Sequence, residues 1–231
     1  MQGTQALLFD FDGVLGDSVE DNLRAWQAAF AKLNLPLHPA EYFALEGSKS
    51  TEIARKLIPS DIHTEELAIQ ILKDKSEYYV ANNSFSYYPG VHELVAELAK
   101  WPIRTAVVSG GSAKRLLTPP SSQILSEFRV VVTGDDCNEC KPSPEPYLRA
   151  ASQLGIAAEH CVVIENAPLG IKAAKRAGMY CIALCSTLTR EYLHEADLIL
   201  EDVPALHEHL RLQLKPNDVA SSIGPESSAQ V

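Results

Sequence analysis

A chain of 231 residues with 46% apolar and 22% charged residues is long enough to bury a sizeable core and ordinary for a globular protein. Its net charge of -10 argues against nucleic acid as the main partner, because phosphate backbones are held by an excess of lysine and arginine. A small phosphorylated substrate stays open, since a few local cations and one metal ion invert the field inside a cleft.

Met1-Gln2-Gly3 runs straight into a strand pattern, with no basic segment followed by an apolar core, so a cytoplasmic location without membrane association is expected. Short apolar runs recur at Ala6-Phe11, Thr105-Val108, Val130-Thr133, Val162-Ile164 and Tyr180-Leu184, and more weakly at Leu198-Leu200. Most are followed by a turn and a helix-like stretch, which predicts a parallel sheet covered on both faces. The interval from Ser18 to about Tyr88 breaks this alternation. Trp26, Ala29, Phe30 and Leu33, then Ile53, Leu57, Leu67, Ile71 and Leu72, recur at helical spacing before Pro89-Gly90 interrupts. A helical lid reached by two crossings of the chain is expected there. Further on, Glu145-Leu154 closed by Gly155, and Ala173-Ala177 closed by Gly178, read as helices. Cys137 and Cys140 form one C-x-x-C pair, too few ligands for a tetrahedral zinc site, and are expected in a plain loop. Rich in Ser, Pro, Gly and Gln, the segment from Lys215 onward is expected to be a disordered tail.

Four strand ends carry polar groups. The first, Leu7-Leu8-Phe9-Asp10-Phe11-Asp12-Gly13, sets two aspartates one residue apart, a spacing that in a strand sends both to one side. The second, Val108-Ser109-Gly110-Gly111, offers a hydroxyl and glycine-flanked amides as a phosphate cradle. Next comes Lys141 before a proline-started helix, a cation on a stiff support. Last, Glu165-Asn166 supplies hard oxygen ligands of the kind magnesium takes. Singly, the second and fourth are ordinary turns and the third a surface lysine, while the first already points to function; together they are the parts of a phosphoryl-transfer site.

With these motifs in this order, the chain resembles the haloacid dehalogenase-like hydrolases from about Ala6 to Glu201, in the branch of phosphoglycolate phosphatases and β-phosphoglucomutases. The resemblance implies an α/β fold, a Rossmann-like three-layer parallel sheet core over 1–18 and 89–214, with a small helical cap domain inserted at 19–88. It implies a Mg2+-dependent phosphatase acting on a small phosphorylated metabolite through an aspartyl-phosphate, as a monomer or homodimer. Asp10 would be the nucleophile and Asp12 the general acid/base, the latter requiring a raised pKa with substrate bound. Ser109, Gly110 and Lys141 would hold the phosphoryl group. Asp10, the carbonyl of Asp12 and Asn166 would ligate the metal, with Glu165 in or beside that shell. Asn22, Tyr42, Glu46 and Lys49 are candidate cap contacts.

Three departures stand out. Asn166 occupies a position that is usually acidic, glycines occupy 110 and 111 where the branch often has a bulkier residue, and Pro119-Pro120 interrupts the following helix. A β-phosphoglucomutase-like isomerase would be expected to carry a histidine at Asn22 and an arginine near Lys49. Those absences favour hydrolysis. A dehalogenase would lack Asp12, and a non-catalytic metal or ligand-binding relative would be favoured by Asn166 alone.

Overall fold

The computed structural model describes residues 3–214, so the expected tail lies outside the described residues. In chain order the elements are β1 (Ala6–Phe9), β2 (Gly16–Asp17), α1 (Val19–Ala31), α2 (Pro39–Phe43), α3 (Ser50–Leu57), α4 (Glu65–Asn82), β3 (Ser86–Tyr87), α5 (Val91–Leu98) and β4 (Arg104–Val108). There follow α6 (Ala113–Leu116), β5 (Val130–Val132), α7 (Glu145–Leu154), β6 (Cys161–Glu165), α8 (Pro168–Arg176), β7 (Tyr180–Leu184), β8 (Leu198–Leu200) and α9 (Val203–Leu214).

Six strands form one parallel sheet in the order β5-β4-β1-β6-β7-β8. All four residues of β1 are buried, as an uninterrupted apolar run requires when helices cover both faces. Side-chain alternation sorts the strands into two cores. Leu7, Phe9, Val107 and Ile164 pack with Leu94 of α5 and Leu206 of α9 on one face. Leu8, Ala106, Val108 and Val163 pack with Tyr147 of α7 and Ile171 of α8 on the other. The central strand β1 lies between β4 and β6, so the chain order reverses there. Ligands of open α/β sheets sit at such a reversal, beyond the carboxyl ends of the strands.

The first strand is shorter than the run Ala6-Phe11 suggests. Asp10 still donates its amide to the carbonyl of Ile164 (2.9 Å), but the Phe11 carbonyl then accepts from Leu15 (3.0 Å) and Gly16 (2.8 Å), closing a tight loop. Asp12 therefore belongs to a turn, and strand parity is not what brings it beside Asp10.

Between β1 and β4 the chain leaves the sheet. Helices α1 to α4 enclose an apolar cluster of their own containing Trp26, Phe30, Ile53 and Ile71. The antiparallel pair β2–β3, with Gly16 opposite Tyr87, marks the two crossings. After β4, α6 lasts four residues before Pro119-Pro120, where no helix continues.

Phe30 is 2% exposed at the centre of the inserted cluster. Phe30→Ala is expected to cost about 3–5 kcal/mol in the unfolding of the insert. Urea denaturation followed by circular dichroism measures it; a loss below about 1 kcal/mol would mean the insert has no packed core of its own.

Candidate active site

Lys141, only 1% exposed, reaches in from the loop before α7. Its Nζ donates to Asp10 Oδ1 (2.5 Å) and Glu165 Oε1 (2.7 Å), and lies 4.9 Å from the ring centre of Tyr147. Asp10 ends β1 and Glu165 ends β6, so one ammonium ties two neighbouring strand ends together. Glu165 is held on every side. Oε1 also accepts from the Tyr147 hydroxyl (2.6 Å), and Oε2 accepts from the amides of Asn166 (2.9 Å) and Ala167 (3.2 Å) at the start of α8. Gly170 makes room for it, because a Cβ there would lie 1.6 Å from Glu165 Oε1. Burial, aided by Glu165 and Asp12 and opposed by Lys141, pushes Asp10 up to about 8. Burial pulls Lys141 down, but Asp10 and Glu165 more than reverse this and hold it above its ordinary value.

Asp12 has different company. Arg115 of α6 donates from both guanidinium nitrogens, one at 2.8 Å to Oδ1 and the other to Oδ2, and Ser18 donates its hydroxyl to Oδ1. Burial raises Asp12, yet Arg115 and Ser18 outweigh it and hold the carboxyl below its usual range. In this arrangement Asp12 is thus an ionised partner of an arginine, where the sequence reading asks for a raised acid with substrate bound. Asn22 lies behind it, donating to the Ser18 carbonyl (3.0 Å) and accepting from Lys75 Nζ (2.6 Å). Lys75 is 5% exposed, and burial and the nearby Arg115 bring it down to about 7 against the pull of Asp12.

Arg115 and Lys75 escape motif reading for different reasons. Arg115 sits in a four-residue helix, where a Lys-Arg pair reads as solvated surface. Lys75 does leave a trace, since it continues the buried stripe Ala68, Ile71, Tyr79 of α4, where a lysine is out of place.

Both glycines of the second motif have steric causes. A Cβ at Gly110 would meet the carbonyl oxygens of Gly47 (2.6 Å) and Ser48 (2.7 Å), so the insert's loop rests directly on this turn. A Cβ at Gly111 would lie 2.4 Å from the Arg115 guanidinium. Ser109 is buried, and its hydroxyl accepts from the Gly111 amide (3.0 Å). Lys49 donates its ammonium to the Cys137 carbonyl, stapling the insert to the core, and also lines the outer cleft beside Lys75 and Arg115. Ser48 adds a second staple, donating to the Lys141 carbonyl at 3.2 Å. Cys137 and Cys140 are free thiols in that loop.

Asp10, Asp12, Glu46, Lys75, Gly110 and Arg115 line a chamber of about 40 Å3 between insert and core, alongside Asn22 and Tyr42. A wider cleft of about 910 Å3 continues outward past Lys75 and Arg115. Among the described residues no three His, Cys, Asp or Glu side chains form a ready metal cluster. The expected donor set includes a backbone carbonyl and an amide, which such a cluster would not contain. The Asn166 side chain does lie against the Asp12-Gly13 segment. Gly13, at φ +85°, brings the Asp12-Gly13 peptide against Asn166, whose Nδ2 would be 2.0 Å from a Cβ there. Among the described residues Asn166 Oδ1 is buried without a partner, as an oxygen kept for a cation would be. The four acceptor contacts of Glu165 are already taken by protein donors, which sets it beside such a cation.

A model of the haloacid dehalogenase-like hydrolases matches residues 7–184. Validoxylamine A 7'-phosphate phosphatase of Streptomyces hygroscopicus subsp. limoneus is 31% identical over 207 residues, covering 85% of this chain and 92% of its own. Hexitol phosphatase A of Escherichia coli is 28% identical over 213 residues, covering 92% and 96%. The crystal structure of a hydrolase from Pseudomonas syringae superposes with a TM-score of 0.83 at 25% identity, over 91% of this chain and all of that one.

Lys141→Met leaves Asp10 and Glu165 buried without their cation. The expected loss is about 3–5 kcal/mol at neutral pH, shrinking as pH falls because protonation neutralises the unpaired buried carboxylates. Denaturant titration at several pH values measures it; a pH-independent loss would contradict the bridging role.

Proposed function

The chain belongs to the haloacid dehalogenase-like hydrolase family, and from that premise we propose that it is a Mg2+-dependent phosphatase of a small phosphorylated metabolite, working through an aspartyl-phosphate on Asp10. The observation that carries the reading is the buried Lys141 bridging Asp10 and Glu165 at two adjacent strand ends. The phosphatase names of the two relatives support it.

Asp10 attacks phosphorus through a carboxylate oxygen, and the bond from phosphorus to the leaving oxygen breaks. Asp12 gives its proton to that oxygen. Water then attacks the phosphorus of the aspartyl-phosphate and passes a proton to Asp12, the bond to Asp10 breaks, and inorganic phosphate leaves. One hard displacement becomes two easier ones. Lys141 orients Asp10 and, with Ser109 and the Gly110 amide, holds the phosphoryl oxygens. Asp10, the Asp12 carbonyl and Asn166 would hold Mg2+, whose charge offsets that developing on the phosphoryl group.

Two features of the arrangement must change during turnover. A guanidinium fork and a hydroxyl hold the Asp12 carboxylate ionised, so Arg115 has to loosen its grip before Asp12 carries a proton. The chamber of about 40 Å3 has room for only a few waters, each needing about 10–15 Å3 by this measure, and not for a phosphorylated metabolite. Substrate entry therefore requires the insert over 19–88 to lift as a cap. The isomerase alternative gains no support, because Asn22 is committed to Lys75 and Lys49 to Cys137. Five free cysteines suit a reducing compartment such as the cytoplasm.

Phosphate release from p-nitrophenyl phosphate and a panel of phosphorylated metabolites, with Mg2+ and with chelator, tests the reading. Asp10→Asn is expected to abolish metal-dependent release, and activity surviving that substitution would overturn it. A second expectation concerns pH. With a folded-state value of about 8 against an ordinary 3.8, Asp10 favours the metal-free fold when protonated, a contribution lost as pH rises through about 8. Mg2+ must displace that proton at lower pH, so its stabilising effect on Tm is expected to be larger at pH about 8.5 than at about 6.5. A Mg2+ effect that is flat or falls over this interval contradicts it.

A further inference from the structure

We infer that Glu46, carried by the insert, is a metal ligand that supplies the carboxylate missing at position 166, so that metal binding itself draws the insert onto the core. The inference rests on the hydrolase reading above. Its starting point is a pair of orphaned oxygens. Among the described residues, Glu46 Oε2 and Asn166 Oδ1 are buried without any hydrogen-bond partner, and their residues are 3% and 1% exposed.

The two side chains already touch. Asn166 Nδ2 donates to Glu46 Oε1 (2.9 Å) and to the Thr187 hydroxyl (2.9 Å). This contact settles which way the amide faces. A flipped amide would set its oxygen against the Glu46 carboxylate, acceptor against acceptor, so Oδ1 is the atom left without a partner. Glu46 is thereby fixed through one oxygen while the other stays unused. A protonated Glu46 would not resolve this, because a hydroxyl at Oε2 would still lack an acceptor. An unpaired buried carboxylate oxygen is costly, and a cation is the partner that both oxygens lack.

Charge counting agrees. Asp12 is matched by Arg115. Asp10 and Glu165 share the ammonium of Lys141, whereas Glu46 has no ion pair among the described residues, so its carboxylate is the one at the chamber without a cation. Both Glu46 and Asn166 bear oxygen, the donor that Mg2+ requires.

The mechanical consequence follows from where Glu46 sits. It precedes Gly47 in the loop between α2 and α3, the same loop whose carbonyls rest on Gly110 and whose Ser48 bonds the Lys141 carbonyl. A cation shared between Asn166 on the core and Glu46 on the insert would bolt this loop down. Asparagine at 166 then has a purpose: an aspartate there would repel Glu46, whereas the amide donates to it.

Mn2+ serves as the probe, its binding followed by electron paramagnetic resonance without substrate and insert closure by hydrogen exchange of the backbone around residues 44–50. For Glu46→Gln the Mn2+ Kd is expected to rise about 10- to 100-fold, and Mn2+-induced protection of that loop is expected to vanish, with the metal-free Tm preserved. Adding Asn166→Asp to Glu46→Gln is expected to restore affinity, since the carboxylate returns from the core, without restoring the loop's protection. A Glu46→Gln variant that binds Mn2+ like the wild type and still protects the loop overturns the inference while leaving the phosphatase reading intact. A wild-type protein that binds no divalent cation and releases no phosphate overturns both.

Discussion

A lysine ammonium buried between two carboxylates organises this molecule's chemistry. Lys141 could not sit 1% exposed unless Asp10 and Glu165 compensated it, and neither carboxylate could share that space without it. The requirement reaches into the fold. It needs β1 beside β6 to bring the two carboxylates together, Tyr147 and two amides at the start of α8 to saturate Glu165, and a glycine at 170 to clear the space. The parallel sheet thus serves as a jig for one triad of charges.

Around this rigid centre lies a looser second one. Asp12 is in a turn, and its partners come from α6, from the residue before α1 and, at longer range, from α4. These are elements joined to the sheet by short or inserted segments. The division suits the two-step displacement proposed above, in which Asp10 would stay put while Asp12 would change partners and protonation state. It also places Arg115 and Lys75 at the border between the small inner chamber and the wide outer cleft, where a leaving group would lie.

Much of this was legible from residues alone, and the limits are instructive. Apolar runs located all six strands because strands buried on both faces must be apolar throughout. Helix ends at Gly155 and Gly178 were readable because both glycines take positive φ. Asp10, Lys141, Glu165 and Asn166 stood out because polar residues directly after such strands have few structural excuses. What escaped was set by contacts between distant segments. Arg115 matters only because α6 aims it at Asp12, 103 residues away in sequence. Lys49 resembled a substrate contact, and only the folded chain shows that it also staples the insert to the Cys137 carbonyl. The glycines at 110 and 111 read as oddities until the Gly47 and Ser48 carbonyls and the Arg115 guanidinium were seen to occupy their Cβ positions.

The most direct test of this chemistry is to catch the phosphoryl group on the protein. The enzyme, mixed with Mg2+ and an ester it hydrolyses, would be quenched in acid within a single turnover, digested and mapped by mass spectrometry. Phosphoryl transferred to the peptide carrying Asp10, appearing and decaying at rates consistent with turnover, is the predicted result. Steady release of phosphate with no phosphoryl-protein at any time, or with the group on another residue, would contradict it.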